Sequence, residues 1–118
     1  MLITRSADHG HSWQTPQPLF GFGVFPALVR LGSGALLLSF GRPGVWVTAS
    51  SDGGRTWLEP VAVIEGDPSN VTAHTCGYTA LLPTGDDEAL LVYSDFAHTG
   101  PDGLPCKSVE VRRVTVRR

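Results

Sequence analysis

An eight-residue pattern occurs twice in this chain, and it limits the possible folds more than any other feature. Ser6-Ala7-Asp8-His9-Gly10-His11-Ser12-Trp13 and Ser50-Ser51-Asp52-Gly53-Gly54-Arg55-Thr56-Trp57 both read S-x-D-x-G-x-[ST]-W and start 44 positions apart. An Asp followed two residues later by Gly predicts a tight turn, in which the carboxylate accepts backbone N–H bonds and the Gly takes a positive φ at little cost. A Trp three residues past the Gly predicts an indole packed back between strands, tying the turn to the core. Both motifs therefore read as structural: Ser6, Asp8, Gly10 and Trp13 in the first, Ser50, Asp52, Gly54 and Trp57 in the second. A spacing of this size matches one four-stranded blade of a β-propeller, where repeats of about 40 to 50 residues are usual.

The stretches between the turns support that reading. Gly23–Leu31, Ala35–Phe40, Val45–Ala49, Pro60–Ile64, Tyr78–Leu82, Ala89–Asp95 and Ser108–Val116 are rich in Val, Leu, Ala, Thr and aromatics, with no helical periodicity. Gly32-Ser33-Gly34, Thr84-Gly85-Asp86-Asp87 and Thr99-Gly100-Pro101-Asp102-Gly103 separate them as turns. In the last strand Val109 and Val111 have one parity and Val114 and Val116 the other, so a bulge or strand end is expected at Arg112-Arg113. Residues 1–20 read as the last strands of one blade, 21–66 as a full blade and 76–118 as most of a final one. Fewer than four blades cannot close a ring, so the chain reads as part of a larger propeller. Bare blade faces then favour self-association.

Composition removes several function classes. Nine Lys plus Arg against 11 Asp plus Glu give a net charge of -2, which argues against a nucleic-acid partner. The longest aliphatic run, Ala35 to Leu38, is far short of the roughly 20 residues a membrane span needs. No leader pattern follows Met1, and the compartment stays open. Cys76 and Cys106 form neither a disulfide framework nor a CxxC pair. Asn70-Val71-Thr72 fits the glycosylation acceptor pattern, which matters only in a secreted eukaryotic protein.

The two motifs resemble the Asp boxes of the sialidase (neuraminidase) superfamily, whose catalytic members are six-bladed propellers that remove terminal sialic acid from glycans. Two further segments are similar to the C-terminal part of that family. Leu36-Leu37-Leu38-Ser39-Phe40-Gly41-Arg42 is a strand ending in an Arg eight residues before the second box, where sialidases carry the third arginine of a carboxylate-binding triad. Cys76-Gly77-Tyr78-Thr79-Ala80-Leu81, followed by a turn and Leu90-Leu91-Val92-Tyr93, looks like the segment bearing the family's tyrosine nucleophile. The resemblance implies an all-β fold, a partial six-bladed propeller of about two and a half four-stranded antiparallel blades. It implies exo-α-sialidase-like chemistry on a sialylated or other acidic glycan, without a cofactor. Arg42 is then the carboxylate clamp, since a guanidinium holds a carboxylate through two parallel charged bonds. Tyr78 is the nucleophile, because a neutral phenol suits an oxocarbenium-like centre beside a carboxylate.

A free phenol with a pKa near 10 is only about 0.1 % ionised at pH 7, so the tyrosine needs a carboxylate base. The family's activating glutamate, its acid/base aspartate and two of its arginines belong to earlier blades, and Glu59, Glu65, Glu88 and Asp95 match none of their motifs. The isolated chain is therefore expected to be inactive. The alternative is a non-catalytic Asp-box propeller that binds glycans or proteins, with Arg42 at a solvent-facing turn and Tyr78 as an ordinary strand aromatic. Tyr93 and Trp46 read as packing residues rather than sugar platforms. His9 and His11 fall at variable positions of the first box, so no metal site is expected there, and His74 beside Cys76 lacks a third partner for thiol chemistry. Lys107, Arg112, Arg113, Arg117 and Arg118 read as a solvated terminal edge.

Overall fold

A computed structural model describes residues 1–69 and 78–117. The glycosylation-like tripeptide, His74 and Cys76 lie outside the described residues. The described chain is all-β, with nine strands in three antiparallel sheets, none of them closed. β1 (Leu2–Ile3) and β2 (Gln17–Pro18) form a short pair. β3 (Val24–Arg30), β4 (Leu36–Gly41), β5 (Val45–Ser50) and β6 (Val61–Ile64) form a four-stranded meander. β7 (Thr79–Pro83), β8 (Glu88–Thr99) and β9 (Pro105–Thr115) form the third sheet. No helix of the described residues is long and apolar enough to cross a membrane.

The four-stranded sheet is covered on both faces, and its sequence shows why. Alternate residues of a strand point to opposite faces, yet β4 and β5 are apolar or small at nearly every position and buried almost throughout. Leu37, Val45, Val47 and Ala49 face the third sheet, where Leu31, Ala35 and Ala89 complete one cluster and Leu91 and Tyr93 another. Phe40 and Trp46 face the opposite way, against Phe20 and Phe22, with ring centroids 5.2 to 5.6 Å apart. Trp46 and Tyr93 thus pack as expected; Tyr93 is only 2 % exposed.

The first strands of the two larger sheets lie side by side. Ser39 Oγ donates to Thr79 Oγ1 at 2.9 Å, and Thr79 Oγ1 donates to the Phe25 carbonyl at 3.4 Å. At the opposite end Ser33 N donates to the Asp86 carbonyl at 2.9 Å, and Gly32 lies so close that a Cβ would sit 2.4 Å from Asp86 Oδ1. Hydrogen bonds therefore tie the sheets at both ends.

Two local expectations change. β9 pairs without interruption through Leu90↔Arg113 and Leu91↔Arg112, so there is no bulge at the arginine pair. Val114 packs on the core, whereas Val109 and Val111 lie on the other face, which is open, so the parity change reflects which face is covered rather than a break in pairing. The register shift lies instead between Asp95 and His98. Trp13 is also not packed between strands: it is 62 % exposed. Its box sits beside a two-stranded ribbon, too small to bury an indole.

Candidate functional site

The two boxes share one hydrogen-bond pattern. Ser6 Oγ and Ser50 Oγ each donate to the motif carboxylate at 2.8 Å and accept from Gly10 N and Gly54 N, also at 2.8 Å. Ser12 N and Thr56 N donate to that carboxylate, as do the Ser12 and Thr56 hydroxyls. Each indole N–H closes the turn on the glycine carbonyl at 3.1 Å, and both glycines have positive φ, 89° and 82°. The Ser12 hydroxyl and amide, followed by the Ser6 hydroxyl, hold the Asp8 carboxyl down at about 2. The corresponding bonds from Thr56 and Ser50 hold Asp52 lower still. Among the described residues every donor to these carboxylates comes from their own turn, so the bonds order the turn.

Arg42 and Tyr78 emerge at one end of the two larger sheets. Arg42 leads the β4–β5 turn and is exposed. Its backbone is left-handed, φ 59°, and its N–H donates to the Gly44 carbonyl at 3.2 Å. The turn is fixed from behind: Trp46 Nε1 donates to the Pro43 carbonyl at 2.6 Å, and a Cβ on Gly44 would fall 2.3 Å from the Ile64 carbonyl oxygen. Tyr78 directly precedes β7, is 55 % exposed, and stacks against Phe25 with centroids 4.8 Å apart. Phe25 follows Val24, which pairs with Gly41, the residue before Arg42. The Arg42 turn and the Tyr78 ring therefore flank the same end of β3.

Residues that no motif identified complete this end. Phe96 lies 6.3 Å from Tyr78, centroid to centroid, and Lys107 Nζ stands 5.2 Å above the Phe96 ring, within cation–π range. Phe25 is 51 % exposed and also left-handed, φ 51°. Only three non-glycine residues among those described have a positive φ, and two of them, Phe25 and Arg42, stand here. Such backbones cost of order 1 kcal/mol or more and collect at functional sites. The sequence signalled none of them: Pro26 after Phe25 favours extended backbone of negative φ, the opposite of what Phe25 adopts, and Phe96 and Lys107 carried no signal. Comparison with protein-family models, curated proteins and solved structures finds no match to this chain.

Proposed function

We propose that this chain is the C-terminal portion of an exo-α-sialidase-like glycoside hydrolase, in which Arg42 clamps the substrate carboxylate and Tyr78 is the nucleophile. The observation that carries the reading is the shared end of β3: the Val24–Gly41 pair and the Phe25–Tyr78 stack bring an exposed guanidinium turn and an exposed phenol to one rim. The rings of Phe25, Tyr78 and Phe96 add apolar surface against which the C–H face of a pyranose can lie. Exposure on the far face of the third sheet supports a partial propeller. Leu82, Val109 and Val111 are 60, 75 and 57 % exposed on a sheet whose other face is core, the pattern of a blade short of its neighbour. The same apolar face underlies the proposal that the chain self-associates, which light scattering tests.

One charge-assisted contact contributes about 1.5–3 kcal/mol, against association costs of at least about 4 kcal/mol, so the 118 residues alone hold an acidic sugar only weakly and do not turn it over. The test has two parts. In-frame coding sequence upstream of Met1 should supply further Asp boxes and an Arg-Ile-Pro segment. The longer protein should cleave a fluorogenic sialoside, with Tyr78→Phe lowering kcat by at least about a hundredfold and Arg42→Ala raising KM. Full activity in both variants rejects the assignment.

The second reading, a non-catalytic glycan-binding module, rests on the three exposed rings. Tyr78→Phe separates the two, because it keeps the ring and removes only the hydroxyl: binding survives in a module, whereas turnover is lost in an enzyme.

A further inference from the structure

We propose that the outer half of the β8–β9 hairpin binds a divalent first-row transition-metal ion through Asp95, His98 and Glu110. On a regular strand Tyr93 and Asp95 share a face, opposite Glu110 and Ser108 of β9, while His98 would point the other way. The register shift between Asp95 and His98 adds one residue to β8, so that His98 pairs with Cys106, on the same face as Ser108 and Glu110. The bulge thereby brings an imidazole to two carboxylates distant from it in sequence or parity. One ligand atom from each of the three lies within 4.8 Å of the others, and His98 Nδ1 is 3.5 Å from Glu110 Oε1. Metal–ligand bonds of 2.0–2.2 Å put neighbouring donors about 3–3.5 Å apart, a closure that small side-chain rotations supply. Asp95 Oδ1 is already oriented by Ala97 N at 2.9 Å.

An independent observation points into the same place. The Tyr93 hydroxyl, on a side chain 98 % buried and facing Glu110 in register, has no hydrogen-bond partner among the described residues; neither does the buried Ser108 hydroxyl opposite Asp95. Around an ion, these hydroxyls become the outer partners that orient ligating carboxylates or a bound water. The imidazole favours the Mn²⁺-to-Zn²⁺ series over Mg²⁺ or Ca²⁺. Phe96 lies within the bulge, so a bound ion also fixes the ring that meets Tyr78. The proposal is independent of the sialidase reading.

The experiment is calorimetric titration of the 118-residue chain with Zn²⁺, paired with Co²⁺-induced broadening of histidine ring resonances. One equivalent should bind. His98→Gln and Asp95→Asn should each weaken it at least about tenfold, while Cys106→Ser and the double variant His9→Gln/His11→Gln leave it unchanged. Co²⁺ should broaden His98 before His9, His11 or His74, a readout that does not depend on any variant folding. Absence of saturable binding, equal affinity in His98→Gln, dependence on Cys106, or first broadening at another histidine overturns the proposal.

Discussion

The two Asp boxes share their serine, glycine, Ser12/Thr56 and indole bonds, differ at His11 and Arg55, whose N–H donates to the Asp8 carbonyl and the Asp52 carboxylate respectively, and have different surroundings. The second follows β5, the third strand of a sheet buried on both faces, and Arg5 reaches it from the start of the chain, donating to the carbonyls of Gly53 and Gly54. Its indole is half-buried and lines a cleft with Met1, Leu2, Leu19 and Leu38. The first box has no such cover. The motif therefore builds a turn from local bonds alone, and whether the turn also anchors a core depends on what the rest of the chain lays over it.

This contrast is open to four tests. The largest effect is expected at the indoles: Trp57→Ala should cost about 2 kcal/mol in urea unfolding, while Trp13→Ala should stay below about 0.5 kcal/mol. Equal losses would mean that the exposed box is anchored after all. The glycines should differ less. A Cβ at Gly54 meets Leu36 at 3.3 Å and Trp57 at 3.4 Å, whereas at Gly10 the nearest atom is 3.9 Å away. Both substitutions carry the left-handed cost of about 1 kcal/mol, and Gly54→Ala should exceed Gly10→Ala by a few tenths to about 1 kcal/mol in the same assay. Arg5→Ala should lower stability by about 1 kcal/mol in the otherwise unchanged chain, and by much less when Trp57→Ala has already loosened the second box.

The smallest effect is a pH dependence. The folded pKa of Asp8 and Asp52 lies below the ordinary 3.8, so their stabilisation is complete above that value and is lost as the pH falls through the folded values, about 2 for Asp8 and lower for Asp52. Denaturation midpoints should therefore fall between about pH 4 and pH 2. Asp8→Asn and Asp52→Asn should each flatten that slope, Asp52→Asn over the wider range. Asp67, lowered by Ser69, titrates in the same direction and leaves a residual slope in the double variant.

Strands and turns were legible because their signals are short-ranged. Seven expected strands recur, most with bounds shifted by one or two residues, since β-rich runs and Gly-rich turns act over neighbouring positions. β8 and β9 run longer than expected because each supplies the other's pairing beyond the apolar stretch. The candidate site was legible only at Arg42 and Tyr78. Phe25 joins them through a contact between sheets and Phe96 through one across its own sheet, and the Asp95–His98–Glu110 group exists only because one extra residue in β8 reverses a side chain.

The amino-acid sequence by itself determined the β class, the turns and the closed bonding of each box, all matters of residues within a few positions of one another. Tertiary structure decided which box is buried, which face of β9 is covered and which distant side chains meet at the end of β3. Burial and convergence depend on how whole sheets lie against each other, and no pattern within a single strand carries that information.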